Sequence, residues 1–375
     1  MASKFLKAFI VILVIVIASP FLSEASNLPK IKGASAILIC VETGRVLYEK
    51  NPHKRLPQAS TTKITTAILA LEKGNLNDDV YVSKEAEETG GSSIWLEEGE
   101  VFSLEQMLYA LLLSSANDAS VAIAEHIAGS EEEFVRMMNK KVREIGARDT
   151  HYANAHGLNN ENQYSTAYDL ALIAKYSMDI SKFKEIVGTD RKVIPWRGNQ
   201  WSRLLINKNK LIREPDLYPD ADGIKTGYTR AAGRCLVGSA TRDGMSLISV
   251  VLDSPGSTYE TIDLLDYGFE NFSKVELVKK GELIFNQKAV GTSNLLGLEA
   301  AESLNVVIVS KEKDEIKKII ATPRSLNPTV DEGEVLGQVI YTLNGEVLDY
   351  TELKATEALD SNSWFISIWQ SITRL

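Results

Sequence analysis

Strand-forming residues cluster in segments far apart along the chain. Residues 34–48 alternate apolar and polar positions around Thr43-Gly44, a turn signal, and predict a β-hairpin. Residues 234–240 and 245–252 are rich in Val, Ile and Leu and are joined by Thr241-Arg242-Asp243-Gly244, which predicts a second hairpin. A sheet built from these segments would receive strands from two distant parts of the sequence.

Apolar residues recur at helical spacing between the two hairpins. Ile64, Ala67, Ile68 and Leu71 fall on one face of a helix predicted over residues 61–73, and Gly74 stands where a helix C-cap belongs. The same reasoning predicts further helices over residues 104–112, 118–127, 131–145, 167–177 and 258–272.

The order of these elements predicts the fold class. Strands on both sides of a helical middle indicate an α+β domain over residues 26–274, in which the early and late strands share one sheet flanked by helices. Beyond it, short Val, Ile and Leu runs broken by glycines predict a second, smaller, all-β domain over residues 275–355. A length of 375 residues agrees with two domains.

Both ends of the chain carry export and membrane signals. Lys4 and Lys7 precede an apolar run over residues 8–18, and Ser23-Glu24-Ala25 follows, so residues 1–25 are predicted to be a cleaved signal peptide. An uncleaved N-terminal anchor is the alternative. Residues 356–375 predict an amphipathic helix on a membrane surface, with a docked or dimerising helix as the alternative. Its apolar face would consist of Trp364, Phe365, Ile368, Trp369, Ile372 and Leu375.

The charge and the cysteine and histidine content argue against several classes of function. A formal charge of -9 argues against nucleic acid as the general partner. The four histidines are scattered and no Cys/His cluster is present, so we predict neither a metal nor a cofactor. Cys40 and Cys235 lie in strand-like runs, where we expect buried thiols, although a disulfide between them stays open.

The segment Ser60-Thr61-Thr62-Lys63 is the first candidate for chemistry. Positions i and i+3 share a helix face, so the Lys63 amine would lie beside the Ser60 hydroxyl. A serine becomes a strong nucleophile when a base takes its proton, and a lysine can be that base only if its pKa is lowered. Taken alone, the same letters would equally fit a helix N-cap serine followed by a solvated lysine.

Two further motifs favour the catalytic interpretation. Ser115-Ala116-Asn117 opens a predicted helix, and Lys225-Thr226-Gly227 is expected just before a strand. β-Lactamases and penicillin-binding proteins carry Ser-x-x-Lys, Ser-Asp-Asn and Lys-Thr-Gly in this order, and here the second motif has Ala116 in the middle, which leaves its outer Ser and Asn in place. Ser115 would relay a proton to the leaving amine, Asn117 would hold Lys63 and the substrate, and Lys225 with Thr226 would bind a substrate carboxylate. Gly227 would let the substrate backbone approach closely.

The chain resembles the D-alanyl-D-alanine carboxypeptidases, which are low-molecular-mass penicillin-binding proteins of serine peptidase family S11. The resemblance implies a β-lactamase/transpeptidase-like domain and removal of the terminal D-alanine from peptidoglycan stem pentapeptides through an acyl-enzyme on Ser60. It also implies inhibition by β-lactams, an extracytoplasmic location, and an oxyanion hole formed by the backbone amides of Ser60 and Tyr228. The resemblance rests on the segments 57–63, 113–119, 154–158, 164–167 and 222–229.

Other functions stay open at this point. A β-lactamase would use the same acylation machinery, but no Glu-x-x-Leu-Asn run lies between Ser115 and Lys225. A DD-endopeptidase or transpeptidase shares the acyl-enzyme and differs only in the acceptor. A non-catalytic cell-wall-binding protein is the alternative of another class, and the intact motifs argue against it. The preferred stem peptide, the oligomeric state, the role of the β domain and the growth or sporulation stage are not predicted.

Overall fold

The computed structural model describes residues 28–196, 201–288, 295–326 and 329–360. The predicted signal peptide lies outside these ranges. The helices are α1 (Lys63–Lys73), α2 (Lys84–Glu87), α3 (Leu104–Leu112), α4 (Asn117–Ala128), α5 (Glu131–Ile145), α6 (Ala167–Met178), α7 (Ser181–Val187), α8 (Lys210–Arg213) and α9 (Ser257–Asn271). The strands before α9 are β1 (Ser35–Cys40), β2 (Val46–Lys50), β3 (Asp79–Tyr81), β4 (Val101–Ser103), β5 (Arg191–Pro195), β6 (Ser202–Ile206), β7 (Ala221–Thr229), β8 (Gly233–Arg242) and β9 (Met245–Leu252).

One antiparallel sheet organises the first domain. Its strand order is β2-β1-β9-β8-β7, so the early hairpin pairs with the late one through β1 and β9. Every residue of β1 is buried, because the sheet is covered on both faces. Ile37 and Ile39 belong to the core shared with α1 and α3, whereas Leu38 and Cys40 belong to the core shared with α9. This arrangement confirms the predicted α+β sheet flanked by helices.

The second domain is a β structure, as the sequence predicts. Its largest sheet has the order β11-β12-β17-β16-β14, and β10 and β15 pair with β13 and β18. A separate hydrophobic core, with Leu298, Val339 and Leu353 fully buried, stabilises it. The strands are β10 (Phe272–Val278), β11 (Leu283–Lys288), β12 (Leu295–Ala300), β13 (Leu304–Val309), β14 (Lys317–Ala321), β15 (Thr329–Val330), β16 (Val335–Leu343), β17 (Glu346–Ala355) and β18 (Leu359–Asp360).

Most predicted helices appear with small changes at their ends, and two local expectations are wrong. Lys225-Thr226-Gly227 lies inside β7 rather than before a strand. Leu359–Asp360 form a strand paired with Thr329–Val330 rather than the start of the C-terminal helix. The rest of that predicted helix, residues 361–375, lies outside the described ranges.

Two further observations bear on the sequence predictions. Cys40 and Cys235 are free and buried, as expected for structural thiols. Within the described ranges, no helix combines the length and apolar character needed to cross a bilayer.

Candidate active site

Ser60 lies in a 3₁₀ turn, Ala59–Thr62, that leads directly into α1. Ala59 has a φ of 49°, in the left-handed region, which turns the chain sharply before the serine. The hydroxyls of Thr61 and Thr62 donate to the carbonyls of Gln58 and Ala59, each at 2.8 Å. These two hydrogen bonds within the turn stabilise it. Ser60 therefore lies just before the N-terminus of α1, where the helix dipole favours negative charge.

Lys63, the first residue of α1, is fully buried beside this serine. Its Nζ atom lies 3.1 Å from Ser60 Oγ, 2.6 Å from Asn117 Oδ1 and 2.5 Å from the His156 carbonyl oxygen. The last two groups can only accept, so they fix two N–H groups of the amine. The third direction, toward Ser60, is thus left for the lone pair of a neutral amine.

The electrostatic surroundings of Lys63 favour that neutral form. Burial lowers the pKa of Lys63 well below its ordinary value, and the nearby cations of Lys225 and Lys208 lower it further. Burial and the charge of Lys63 likewise lower the pKa of the His156 ring to about 3, so this histidine is neutral. The His156 ring therefore adds no positive charge beside the Lys63 amine.

Ser115 and Asn117 reach the site from the junction of α3 and α4. Ser115 has a φ of 59° and is buried, while Asn117 is the first residue of α4. The Asn117 Nδ2 group donates to the Gly90 carbonyl at 2.6 Å, and its backbone N–H donates to the Ser92 carbonyl at 2.7 Å. These bonds orient the Asn117 side chain so that its oxygen faces Lys63.

Lys225 approaches Lys63 from β7 and is almost completely buried. Its Nζ atom donates to the Thr226 carbonyl oxygen at 3.1 Å. Burial, with a smaller effect of the Lys208 charge, lowers the pKa of Lys225 to about 7. This lysine is therefore placed to act on Lys63 through its charge.

The outer edge of β7 faces Ser60. Because the Arg234 carbonyl accepts from Ser254 N at 2.9 Å, the Tyr228–Arg234 pair is a non-hydrogen-bonded pair of the β7–β8 ladder. The Tyr228 N–H consequently points away from β8, to the free edge. A Cβ atom on Gly227 would lie 3.1 Å from Ser60 N, which shows how closely the two backbones approach.

An open cavity of about 340 Å³ lies in front of these groups. Ser60, Ser115, Thr226, Gly227 and Tyr228 line it, so the structure brings most of the predicted site residues to one wall. Lys63 and Asn117 lie behind this wall and contact Ser60 or each other. The described residues contain no cluster of His, Cys, Asp or Glu arranged to hold a metal ion.

Sequence reasoning did not assign several groups of this site. The His156 carbonyl was missed because a backbone acceptor leaves no trace in residue type. Lys208 and Arg234 also line the cavity or act on its charges, yet neither belongs to a recognisable motif. Arg242, at the end of β8, pairs with Asp220 at 2.8 Å.

Comparison with known proteins places this geometry in a family. Residues 23–256 match the D-alanyl-D-alanine carboxypeptidase family, and residues 272–361 match the C-terminal domain of penicillin-binding protein 5. The chain belongs to the D-alanyl-D-alanine carboxypeptidase family. It is thus a serine hydrolase by family, which confirms the resemblance seen in the sequence.

Individual relatives cover nearly the whole chain. D-alanyl-D-alanine carboxypeptidase DacF of Bacillus subtilis (strain 168) is 37% identical over 334 residues, 86% of this chain and 85% of DacF. DacC of Escherichia coli (strain K12) is 31% identical over 360 residues, 92% of this chain and 88% of DacC. Penicillin-binding protein 5 from Haemophilus influenzae aligns with a TM-score of 0.75 and 30% identity, over 90% of this chain and 100% of that structure. The enzyme therefore shares both domains with these proteins.

Proposed function

We propose that the enzyme removes the terminal D-alanine from peptidoglycan stem pentapeptides through an acyl-enzyme on Ser60, and that β-lactams acylate the same serine. The observation that carries this proposal is the buried Lys63 amine, 3.1 Å from Ser60 Oγ, with its pKa lowered by burial and by two neighbouring cations. Family membership supports the substrate class.

Acylation follows from the positions of four groups. Neutral Lys63 takes the Ser60 proton while Oγ attacks the carbonyl carbon between the two D-alanines. The oxyanion that forms accepts hydrogen bonds from the backbone N–H groups of Ser60 and Tyr228. The proton then passes through Ser115 to the leaving amine, the C–N bond breaks and D-alanine departs. Water attacks the ester in the second half, with Lys63 again acting as base.

The remaining residues position these reactants. Asn117 holds the Lys63 amine and presents an amide to the substrate, while Thr226 and Gly227 line the edge of β7 where an extended peptide would lie. Lys225 acts mainly by keeping Lys63 neutral. No metal or cofactor takes part in this scheme.

Mass spectrometry tests the proposal most directly. The purified protein and its Ser60→Ala variant are incubated with penicillin and, separately, with a peptide ending in D-Ala-D-Ala. We expect a penicilloyl adduct on Ser60 and release of D-alanine, both absent from the variant. Adduct without release would indicate a transpeptidase or endopeptidase, and rapid loss of the adduct with opened penicillin would indicate a β-lactamase. No adduct would favour a non-catalytic wall-binding protein.

The pH dependence of acylation tests the role of Lys225. Lys63 acts as base only when neutral, so the rate falls as pH falls through the pKa of Lys63. In Lys225→Gln one of the cations that lower this pKa is gone, so the pKa rises and the acidic limb of the profile moves to higher pH. Penicillin acylation measured from about pH 5 to 10 gives the shift. Lys208→Gln should cause a smaller shift of the same sign, and an acidic limb unmoved in both variants would contradict this role.

We further propose an extracytoplasmic location at the outer face of the cytoplasmic membrane, where the cell wall is built. The supporting features are the signal-like residues 1–25 and the amphipathic pattern within residues 361–375. In this scheme residues 26–274 form the catalytic domain and residues 275–355 the β domain. Flotation of the enzyme with lipid vesicles, with and without residues 361–375, tests the anchor, which would be refuted by equal binding.

A further inference from the structure

The cleft has a charge opposite to that of the whole chain. The protein carries a formal charge of -9, yet the cavity in front of Ser60 is lined by Lys208, Lys210 and Arg234. Among the described residues, no Asp or Glu lines this cavity. A concave surface lined by one sign of charge attracts ligands of the opposite sign. The charges that line the cleft therefore favour an anionic ligand.

Arg234 is the cation of the cavity lining that lies next to Tyr228. It stands directly opposite Tyr228 in the β7–β8 ladder, and its guanidinium lies 5.9 Å from the centre of the Tyr228 ring. The two residues form a non-hydrogen-bonded pair, the kind in which opposing side chains lie closest. The side chain that faces Tyr228 from β8 is thus a guanidinium.

The Arg234 guanidinium is also available to a ligand. The residue is exposed, and no carboxylate of the described residues lies within ion-pair distance of it. Arg203 and Arg242, by contrast, are paired with Glu100 and Asp220, each at 2.8 Å. The Arg234 backbone is fixed by the bond from Ser254 N, so the side chain projects from a rigid strand.

The other cations of the site have different partners. Lys225 is buried, donates to the Thr226 carbonyl and does not line the cavity. Lys208 donates to Ser92 Oγ at 2.8 Å. Lys210 lies near Glu214, whose pKa is lowered by Arg213 first and by Lys210 in addition. A planar guanidinium is moreover the side chain best suited to hold a carboxylate through two parallel bonds.

We propose that Arg234, rather than Lys225, binds the C-terminal carboxylate of the substrate peptide and so makes the enzyme specific for free peptide ends. This inference rests on the proposed function. In a D-Ala-D-Ala terminus the carboxylate lies about one residue, or ~3.8 Å, beyond the carbonyl that is attacked. If that carbonyl faces the Tyr228 N–H, the carboxylate lies within about one residue of Tyr228. The register of the sheet places Arg234 there.

A comparison of two substrates in matched variants tests this role. The substrates are a peptide ending in D-Ala-D-Ala with a free carboxylate and the same peptide with a C-terminal amide. Arg234→Gln should lower kcat/KM for the free acid by about 10- to 100-fold and leave the slow reaction of the amide unchanged. For the free acid, the kcat/KM of Arg234→Lys should lie between those of the unaltered enzyme and Arg234→Gln. Arg230→Gln removes the same charge from the exposed turn after β7, outside the cavity wall, and should change neither reaction.

Each other result has a definite meaning. Equal losses on acid and amide would make Arg234 a structural residue, and an unchanged preference for the acid would place the carboxylate on another cation; both would overturn the proposal. If the unaltered enzyme releases no D-alanine, the proposed function fails instead. Arg234 is then tested by the rate of adduct formation with penicillin and with penicillin methyl ester. That comparison removes the same charge from the ligand without requiring peptide hydrolysis.

Discussion

Replacing Lys63 with methionine is expected to lower the rate of Ser60 acylation by penicillin by about 10²- to 10⁴-fold, the usual contribution of a general base. Methionine has nearly the length of lysine and suits a fully buried position, so the loss would reflect the missing proton acceptor. The variant Lys63→Arg should also acylate slowly, because a guanidinium keeps its proton at any accessible pH and cannot accept one from Ser60.

The adduct formed over time, followed by mass spectrometry, measures this rate. Lys73→Met is a suitable control, since Lys73 lies at the exposed end of the same helix and should leave acylation unchanged. Thermal unfolding of both variants establishes that they are folded. Acylation of Lys63→Met within a factor of about ten of the normal rate would assign the base to another group.

Replacing Gly157 with alanine should damage both stability and catalysis. Gly157 has a φ of +92°, and an added Cβ would lie 2.1 Å from the carbonyl oxygen of Ala59. The backbone conformation alone costs a non-glycine residue about 1–2 kcal/mol. Relief of the clash must move the turn that carries Ser60, at about 1–3 kcal/mol more. A displacement of ~1 Å at the nucleophile can lower the rate 10²-fold.

Gly129→Ala separates these two effects. Gly129 has a similar φ of +80°, but an added Cβ would meet nothing within 4 Å. This control should lose only the backbone contribution to the free energy of unfolding, measured in urea, and should acylate normally. If the two variants are equally stable and equally active, the close approach of residue 157 to the Ser60 turn does not matter.

The sequence predicted the main helices and the central sheet of this enzyme better than the contacts between them. Apolar residues at helical spacing located the main helices, and in α5 the buried residues Phe134, Met138 and Val142 do form one regular face, which packs on α1 and α4. The short strand pairs β3–β4 and β5–β6 were not predicted, since strands of three to five residues carry too few positions to show alternation.

In the active site, too, the sequence revealed the residues that belong to motifs but not the groups that only the tertiary structure brings together. Ser60, Lys63, Ser115, Asn117 and Thr226 could be proposed because their residue types occur in motifs with fixed spacing. The His156 carbonyl depends on how a loop packs on the 3₁₀ turn, and Arg234 depends on the register of two strands. Such relations arise from tertiary structure, so local spacing does not reveal them.

The two buried lysines also have a thermodynamic consequence for the fold as a whole. Both have pKa values below the value of about 10.4 expected in an unfolded chain, so the unfolded state binds more protons between the folded and unfolded values. In that window the free energy of unfolding rises with pH, and it is reduced at the neutral pH at which the site must work. The folded enzyme therefore gives up conformational stability to keep a base deprotonated.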